Sequence, residues 1–382
     1  MEGKPNKTLA FCLFKYFPYG GQQRDMLRLA LACRSRGYEI DVYATAWEGE
    51  VPPSLRVHLH RPRALSNHER VRKYHAWLAR RLAENPPACV VGFQKMPGLD
   101  VYFAADVCYQ AKALEEHGPF YRLLPRYHLY QRFEEAVFGP DSRTQILMIS
   151  QIQEQAYVRH YGTAADRIHR MPPNLPPDRL AGPEAPQMRR TFRQSLGLAE
   201  DDRLLLQLGS GFRTKGLDRS ILALACLPEA LRTKTWLYVV GSGQKRPYAR
   251  LARRLGVADR IIFLGPRDDV PRILVSADLL VHPARQEAAG IVLLEALACG
   301  LPIVASGVCG YAHYVAQAQA GWVLPEPFDQ ARFTGTVQAA LERGDLAEIG
   351  RRGIEFARRE NLGGMVDAAV AVIEAVARRV AT

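Results

Sequence analysis

Short apolar runs alternate with amphipathic stretches along nearly the whole of this 382-residue chain. Thr8–Phe14, Glu39–Ala44, Ala88–Phe93 and Gln145–Ser150 are apolar enough to predict buried strands. Gln23–Arg36 and His68–Ala83 repeat their apolar positions at the helical period between them. In the second half, Leu204–Gly209, Trp236–Gly241, Ile261–Leu264, Leu279–His282 and Pro302–Ser306 predict strands, with helices over Ser220–Leu224, Arg246–Leu255 and Gly290–Ala298. Near-continuous apolar strands separated by helices predict parallel sheets covered on both faces. Two such series predict an α/β fold of two doubly wound, Rossmann-like domains facing across a cleft, with ligands at the carboxyl ends of the strands.

Prolines crowd in "MPPNLPPDRLAGPEAP", residues 171 to 186, where periodicity stops. The expected domains are therefore residues 1–170 and 171–355. The amphipathic stretch Met365–Val380 lies in a C-terminal helical segment, about 356–382, expected to pack back on the first domain.

A hydrophobic content of 48% and a charged content of 24% place the chain among globular proteins, and no window approaches the roughly 18 apolar residues of a membrane span. The start, "MEGKPNKTLAFCLFKYFPYGG", is broken by Lys15 and lacks a small-residue cleavage site, so it reads as a first core strand and not a signal peptide. Seven cysteines, odd in number and without a C-x-x-C pair, predict free thiols in a reducing cytosol and no structural zinc. The ten histidines show no ligand spacing, so no metal site is expected. A net charge of +12 favours acidic partners without choosing among them.

Four stretches carry candidate chemistry. Gly20 and Gly21 close the first strand, where backbone N–H groups at a helix N-terminus can meet a phosphate, or where the chain simply turns. "LLLQLGSGFRTKGLDRSI" sets Arg213 and Lys215 in a glycine-rich turn suited to a diphosphate, the alternative being a solvated basic turn. It is not a Walker loop, because Lys215 precedes Gly216, and "VVGSGQKR" lacks the third glycine of a dinucleotide fingerprint. "QEAAGIVLLEALACG" places Glu287 in a loop before a helix beginning at Gly290, and Glu295 alone in an apolar run. That carboxylate either accepts the two hydroxyls of a ribose or points to water. Finally, "GPFYRLLPRYHLYQRF", residues 118 to 133, interleaves aromatics, among them Tyr121 and Tyr127, with Arg122, Arg126 and Arg132 and no acid. It suits an anionic membrane interface or a helix packed on the core with solvated arginines; no RNA-binding signature accompanies it.

Taken together, Gly20-Gly21, Arg213/Lys215 and the E-x7-E stretch "EAAGIVLLE", preceded by "SADLLVHP" and followed by "ALACGLPIVAS", resemble the retaining GT-B glycosyltransferases of family 4. "AFCLFKYFPYGGQQRD", "WEGE", "GFQKMPGLDVYFAADVCY" and "VCGYAHY" extend the resemblance over nearly the whole chain, to the branch that adds the first outer-core hexose to an inner-core heptose of lipopolysaccharide. The resemblance implies a UDP-sugar donor, glucose by family default, with UDP-galactose or a UDP-N-acetylhexosamine as alternatives; another GT-B enzyme such as an epimerase is the rival chemistry. It implies that Glu295 binds the ribose and that Glu287 sits near the donor sugar beside the Ala289, Gly290 and Ile291 amides. Arg213 and Lys215 would neutralise the leaving diphosphate, Gly21 would approach it, and the backbone at Arg267 would read uracil. With the charge met by cations, no divalent metal or other cofactor is expected. The family's histidine after the fourth strand is missing, and Lys95 and Asp100 fall in that stretch; Asp100 is carried as a catalytic candidate. The family's arginine-to-lysine spacing is also longer than Arg213 to Lys215. The implied setting is the cytoplasmic face of the inner membrane of a Gram-negative bacterium, bound peripherally, with no nucleic-acid partner.

Overall fold

The computed structural model describes residues 6–18, 20–175, 179–360 and 362–380. The chain divides into two compact units, Met1–Asn174 with Gly364–Thr382, and Leu175–Gly363.

The first unit opens with β1 (Thr8–Cys12), the short β2 (Lys15–Tyr16) and α1 (Gly21–Ser35). Next come β3 (Glu39–Ala44), β4 (Ala46–Trp47), β5 (Leu55–Leu59) and α2 (Asn67–Glu84). It continues through β6 (Cys89–Gly92), β7 (Val101–Ala104), α3 (Tyr109–Glu116), α4 (Pro125–Phe138), β8 (Gln145–Met148), α5 (Gln151–Tyr161) and β9 (Ile168–Arg170). Seven of these strands form one parallel sheet, ordered β5-β3-β1-β6-β7-β8-β9. The order reverses between β1 and β6. Both faces bury apolar side chains, which is why the strands read as continuous hydrophobic runs.

Two buried charges fix α4. Glu134, fully buried, accepts Lys95 Nζ at 2.7 Å, the Tyr109 and Gln110 N–H groups at 2.7 and 2.9 Å, and Tyr161 Oη at 2.7 Å. A carboxylate is tolerable there because an ammonium, a helix N-terminus and a hydroxyl all meet it. At the other end, the buried Arg167 guanidinium donates to the carbonyls of Val137, Phe138 and Gly139, filling acceptors that a helix C-terminus leaves open.

The second unit runs α6 (Ala185–Ser195), β10 (Arg203–Leu208), α7 (Leu217–Ala225), α8 (Glu229–Arg232), β11 (Thr235–Val240), α9 (Lys245–Arg254) and β12 (Ile261–Gly265). It continues with α10 (Val270–Ser276), β13 (Leu279–His282), α11 (Ile291–Ala298), β14 (Ile303–Ser306), α12 (Ala312–Gln317), β15 (Gly321–Leu324), α13 (Gln330–Glu342) and α14 (Leu346–Arg359). Its sheet is also parallel, β12-β11-β10-β13-β14-β15, and the order reverses between β10 and β13.

The last helix, α15 (Met365–Val380), belongs to the first unit and packs on α1. The returning segment begins at Gly364, not near 356. Phe356, Ala357 and Leu362 hold the preceding residues in the second unit's core. The first boundary falls at Asn174/Leu175; Pro176, Pro177 and Asp178 lie outside the described residues. No helix among the described residues is long and apolar enough to cross a membrane.

Candidate active site

Two loops of the second unit meet at the carboxyl ends of β10 and β13, where the strand order reverses. Such a reversal leaves the crevice that open α/β sheets use for ligands. One loop is Gly209–Gly216, the other Pro283–Gly290, and a web of hydrogen bonds clasps them. The Arg285 N–H donates to the Thr214 carbonyl at 2.8 Å, and its guanidinium takes both oxygens of Asp218 at 2.7 Å. Arg219 donates to the carbonyls of Pro283 and Ala284 at 3.1 and 3.2 Å, and the buried Gln207 holds the Lys215 carbonyl at 2.9 Å. Gly216 has φ +70°, and a Cβ there would lie 2.0 Å from the Pro283 oxygen, so only glycine lets the loops approach.

The clasp sets Lys215 against Glu287: the ammonium is ion-paired and hydrogen-bonded to the carboxylate. His282, the buried last residue of β13, places Nε2 3.2 Å from the same Glu287 oxygen. Burial alone would raise the Glu287 pKa. The Lys215 charge, then the His282 contact, outweigh it and hold the carboxyl down at about 2. The site therefore presents a fixed anion beside a fixed cation at neutral pH. Arg213 lies exposed in the same turn; its carbonyl accepts from Arg285 at 3.2 Å, and its guanidinium meets no acceptor among the described residues.

Glu287 is anchored by a bridge to Cys309, and the Ala289 carbonyl accepts the Tyr311 N–H at 2.7 Å. Gly290, at φ +90°, then caps α11. The first N–H groups of a helix have no acceptor within it, so the amides around Ala289, Gly290 and Ile291 open beside Glu287. Every side chain of α11 after Ile291 is buried, Glu295 included at 5% exposure. That removes the water-facing alternative for Glu295. Arg179 Nε stands 3.7 Å from its carboxylate, a partner carried by the proline-rich boundary segment.

Residues 188–357 match the model of glycosyl transferases group 1, and residues 19–179 that of glycosyltransferase family 4. The lipopolysaccharide glucosyltransferase WaaG of Escherichia coli is 46% identical over 338 residues, covering 88% of this chain and 90% of that one. A WaaG crystal structure superposes with a TM-score of 0.93 at 44% identity, covering 96% and 99% of the two chains. The chain belongs to the WaaG family of group 1 glycosyltransferases. It is a glycosyltransferase of GT-B fold. Anabaena HepE in complex with UDP-glucose shares the fold at 20% identity, with a TM-score of 0.70 over 97% of this chain and 98% of that one.

In this glycosyltransferase the remaining expected residues fare unequally. Arg267 follows β12 on the carboxyl edge, but its side chain is engaged with Asp269 at 2.6 and 2.7 Å, leaving only backbone at that turn. In the first unit, Gly20 caps α1 at the β1/β6 reversal, and Gln22 Nε2 reaches the Phe93 carbonyl at 2.6 Å. A Cβ at Gly21 would meet no atom within 4 Å, so crowding does not demand glycine there. Asp100 is a correction. It precedes β7, level with Val90 at the amino edge of the parallel sheet, and accepts the Val90 N–H at 2.8 Å. It ties strands together and does not face the carboxyl edge. Lys95 is spent on Glu134 and on the Val107 carbonyl.

The stretch at 118–133 folds as a 3₁₀ turn over Pro119–Leu123 leading into α4. Tyr127 is a second correction: it is 8% exposed, and its hydroxyl donates to Gln110 Oε1 at 2.8 Å, so it packs inward. Tyr121 is half-buried, with its hydroxyl 3.0 Å from that of Tyr109, while Arg122, Arg126 and Arg132 are exposed. At the tip of this stretch Phe120 is 81%, Leu123 73% and Leu124 46% exposed, apolar side chains that the expected membrane residues did not include by name. The sequence reading missed His282, Arg179 and the Arg285–Asp218 clasp. Only "PFYRLL", apolar residues flanked by proline without helical period, hinted at the tip. Among the described residues no group of three or more His, Cys, Asp or Glu side chains is arranged to hold a metal ion.

Proposed function

We propose that this enzyme transfers glucose from UDP-glucose to a heptose of the lipopolysaccharide inner core, with retention at the anomeric carbon. The observation that carries the reading is the Lys215–Glu287 pair at the β10/β13 reversal, with Glu295 buried one helical segment further on. The long likeness to WaaG supports the acceptor and the hexose.

A sugar leaving a diphosphate develops charge on the departing oxygen, and cations fixed in advance lower that barrier without reorganising. Lys215 supplies one such charge, Arg213 is free to supply a second, and the open amides before α11 add partial positive charge. Glu287, kept anionic, is placed to accept hydroxyls of the donor sugar. Glu295 accepts the ribose hydroxyls, and the turn carrying Arg267 offers backbone to the base. The Gly20–Gly21 turn of the first unit is proposed as a phosphate contact on the open space beside Gly21. In the transfer the C1–O bond to the β-phosphate breaks and a C1–O bond to the heptose hydroxyl forms on the same face. The hydroxyl proton passes to the departing phosphate. Because cations meet the developing charge, transfer is proposed to need no divalent metal.

The enzyme is further proposed to work on the anionic cytoplasmic face of the inner membrane, touching it through the Phe120–Arg126 tip. Exposed apolar side chains beside Arg122 and Arg126 combine insertion with headgroup attraction.

The test is to incubate the protein with UDP-glucose, UDP-galactose and UDP-N-acetylglucosamine beside a truncated core acceptor, with and without EDTA, and weigh the product. A single hexose added only from UDP-glucose, with EDTA indifferent, is expected. UDP release that ignores the acceptor, or a sugar epimerised without one, would overturn the reading.

A further inference from the structure

A cavity of about 860 Å³ opens on the first unit at the carboxyl ends of β1, β3 and β5, within the size range of small-ligand pockets. Its wall holds five cations, Lys15, Arg61, Arg63, Arg70 and Lys73, against two acids, Glu48 and Glu69. Both acids are already matched: Glu48 with Lys15 at 2.5 Å, and Glu69 with Lys73 at 3.4 Å. Among the described residues Arg70 meets only the neutral Asn67 side chain, at 3.3 Å. The Arg61 and Arg63 side chains are exposed and meet no acceptor among the described residues.

This surplus is held in place by the fold. Lys73 donates to the Arg63 carbonyl at 2.9 Å, fastening the loop after β5 to the first turns of α2. Tyr74, one residue on, is buried and donates to the carbonyls of Leu13 and Tyr43 at 3.1 and 2.8 Å, which pins α2 to the ends of β1 and β3. A second cavity of about 660 Å³ shares Arg63 and Lys73 with the first and adds Arg72, Arg80 and Arg81 against Glu84 alone. One positive trough thus follows the exposed face of α2 from the carboxyl edge of the sheet. Trp77, stacked on His60 at 4.8 Å, gives it an aromatic wall.

We propose that this trough binds the phosphate or carboxylate groups of an anionic saccharide acceptor and makes the enzyme select negatively charged acceptors. The inference rests on the proposed acceptor and adds what recognises it. Unpaired guanidiniums in a concave site at the ligand edge of an α/β sheet suit oxyanions, which arginine takes two oxygens at a time. A flat lipid surface fits less well, because Leu65 is the one strongly exposed apolar side chain on the rim.

The experiment pairs Arg61→Ala/Arg63→Ala with altered acceptors. Neither guanidinium supports the fold, and equal melting temperatures would verify that. The core oligosaccharide is used intact, phosphatase-treated and carboxyl-reduced, and KM is measured for acceptor and for UDP-glucose. Wild-type protein should lose about tenfold in acceptor KM, the order of one charge-assisted hydrogen bond, when the recognised anion is removed. The double variant should lose as much with intact acceptor and nothing further with the altered one, while KM for UDP-glucose moves less than twofold. Whichever treatment matters names the anion. Equal further losses in variant and wild type would overturn the proposal, as would an unchanged acceptor KM with weakened binding to anionic vesicles. Should wild type not glucosylate the core at all, the proposed function fails, and the trough is read separately by calorimetric titration of intact against dephosphorylated oligosaccharide. Binding that ignores both the anion and the two arginines would then refute it.

Discussion

Replacing Lys215 by methionine removes the cation that keeps Glu287 ionised while leaving the carboxylate in its buried place. The cost follows from the carboxyl's displacement. Its pKa falls from the ordinary 4.5 to about 2. At 1.36 kcal/mol per pH unit, that difference is ~3 kcal/mol of native-state stability. The pKa is lowered by folding, so this stability is present above pH 4.5 and lost as the pH falls through about 2. Lys215→Met leaves the burial cost unopposed, so it should destabilise the second unit by ~3 kcal/mol or more at pH 7, within the range seen when one partner of a buried pair is removed. For a unit of this length that is a fall of roughly 6–12 °C in melting temperature. The deficit should shrink as the pH is lowered below 4.5. Adding Glu287→Gln to the same chain removes the stranded charge, and the double variant should recover to within ~1 kcal/mol of wild type. Activity should not recover. In the proposed transfer the ammonium meets the leaving diphosphate, so kcat should stay down about 100-fold or more in both variants. Calorimetric melting across pH, with UDP release measured at pH 7, separates the two effects. Equal destabilisation of single and double variants would refute the pairing, and an active double variant would refute the catalytic role of Lys215.

Four other variants probe separate parts of the account. Glu295→Gln should raise KM for UDP-glucose about tenfold with a smaller change in kcat, because the proposed charge-assisted bond to ribose becomes a neutral one; steady-state kinetics with varied donor reads it. Phe120→Ser/Leu123→Ser/Leu124→Ser should cut binding to anionic vesicles by about 1,000-fold or more, since each side chain forfeits ~1.5 kcal/mol or more of burial, whereas Tyr127→Phe should leave sedimentation with vesicles unchanged. Glu134→Gln should lower thermal stability by ~3 kcal/mol, stranding Lys95 and weakening the α3 N-terminus.

Much of the architecture was legible because parallel strands covered on both faces write themselves as unbroken apolar runs. Residues 9–12 and 303–305 are such runs, whereas Glu39–Ala44 is interrupted by Asp41, which is paired with Arg56. The elements that escaped are those whose pattern is set by their neighbours. β5 carries exposed Arg56, His58 and Leu59 at a sheet edge, and α4 buries Glu134 against Lys95, a partner 39 residues away. The donor-side loops were readable from glycines and charges close together in sequence. The pairing of Lys215 with Glu287 was not, because 72 residues separate them and only the adjacency of β10 and β13 brings them together. Arg179 escaped for a related reason: the prolines around it mark a boundary and say nothing about the helix it packs on. Asp100 misled because it lies near the family's missing histidine in sequence, while the chain between β6 and β7 returns it to the opposite edge of the sheet.

The central claim is that the second unit's carboxyl edge holds a nucleotide-sugar and passes its hexose to the core heptose with retention. Proton NMR of the product formed from UDP-glucose and truncated core acceptor tests it most directly. The account predicts one new anomeric signal with the small H1–H2 coupling of an α-glucoside, correlated across the new linkage to a heptose carbon, and no such signal from Lys215→Met/Glu287→Gln in the same time. A large coupling, marking the β-anomer, or a linkage to any sugar other than heptose, would contradict it.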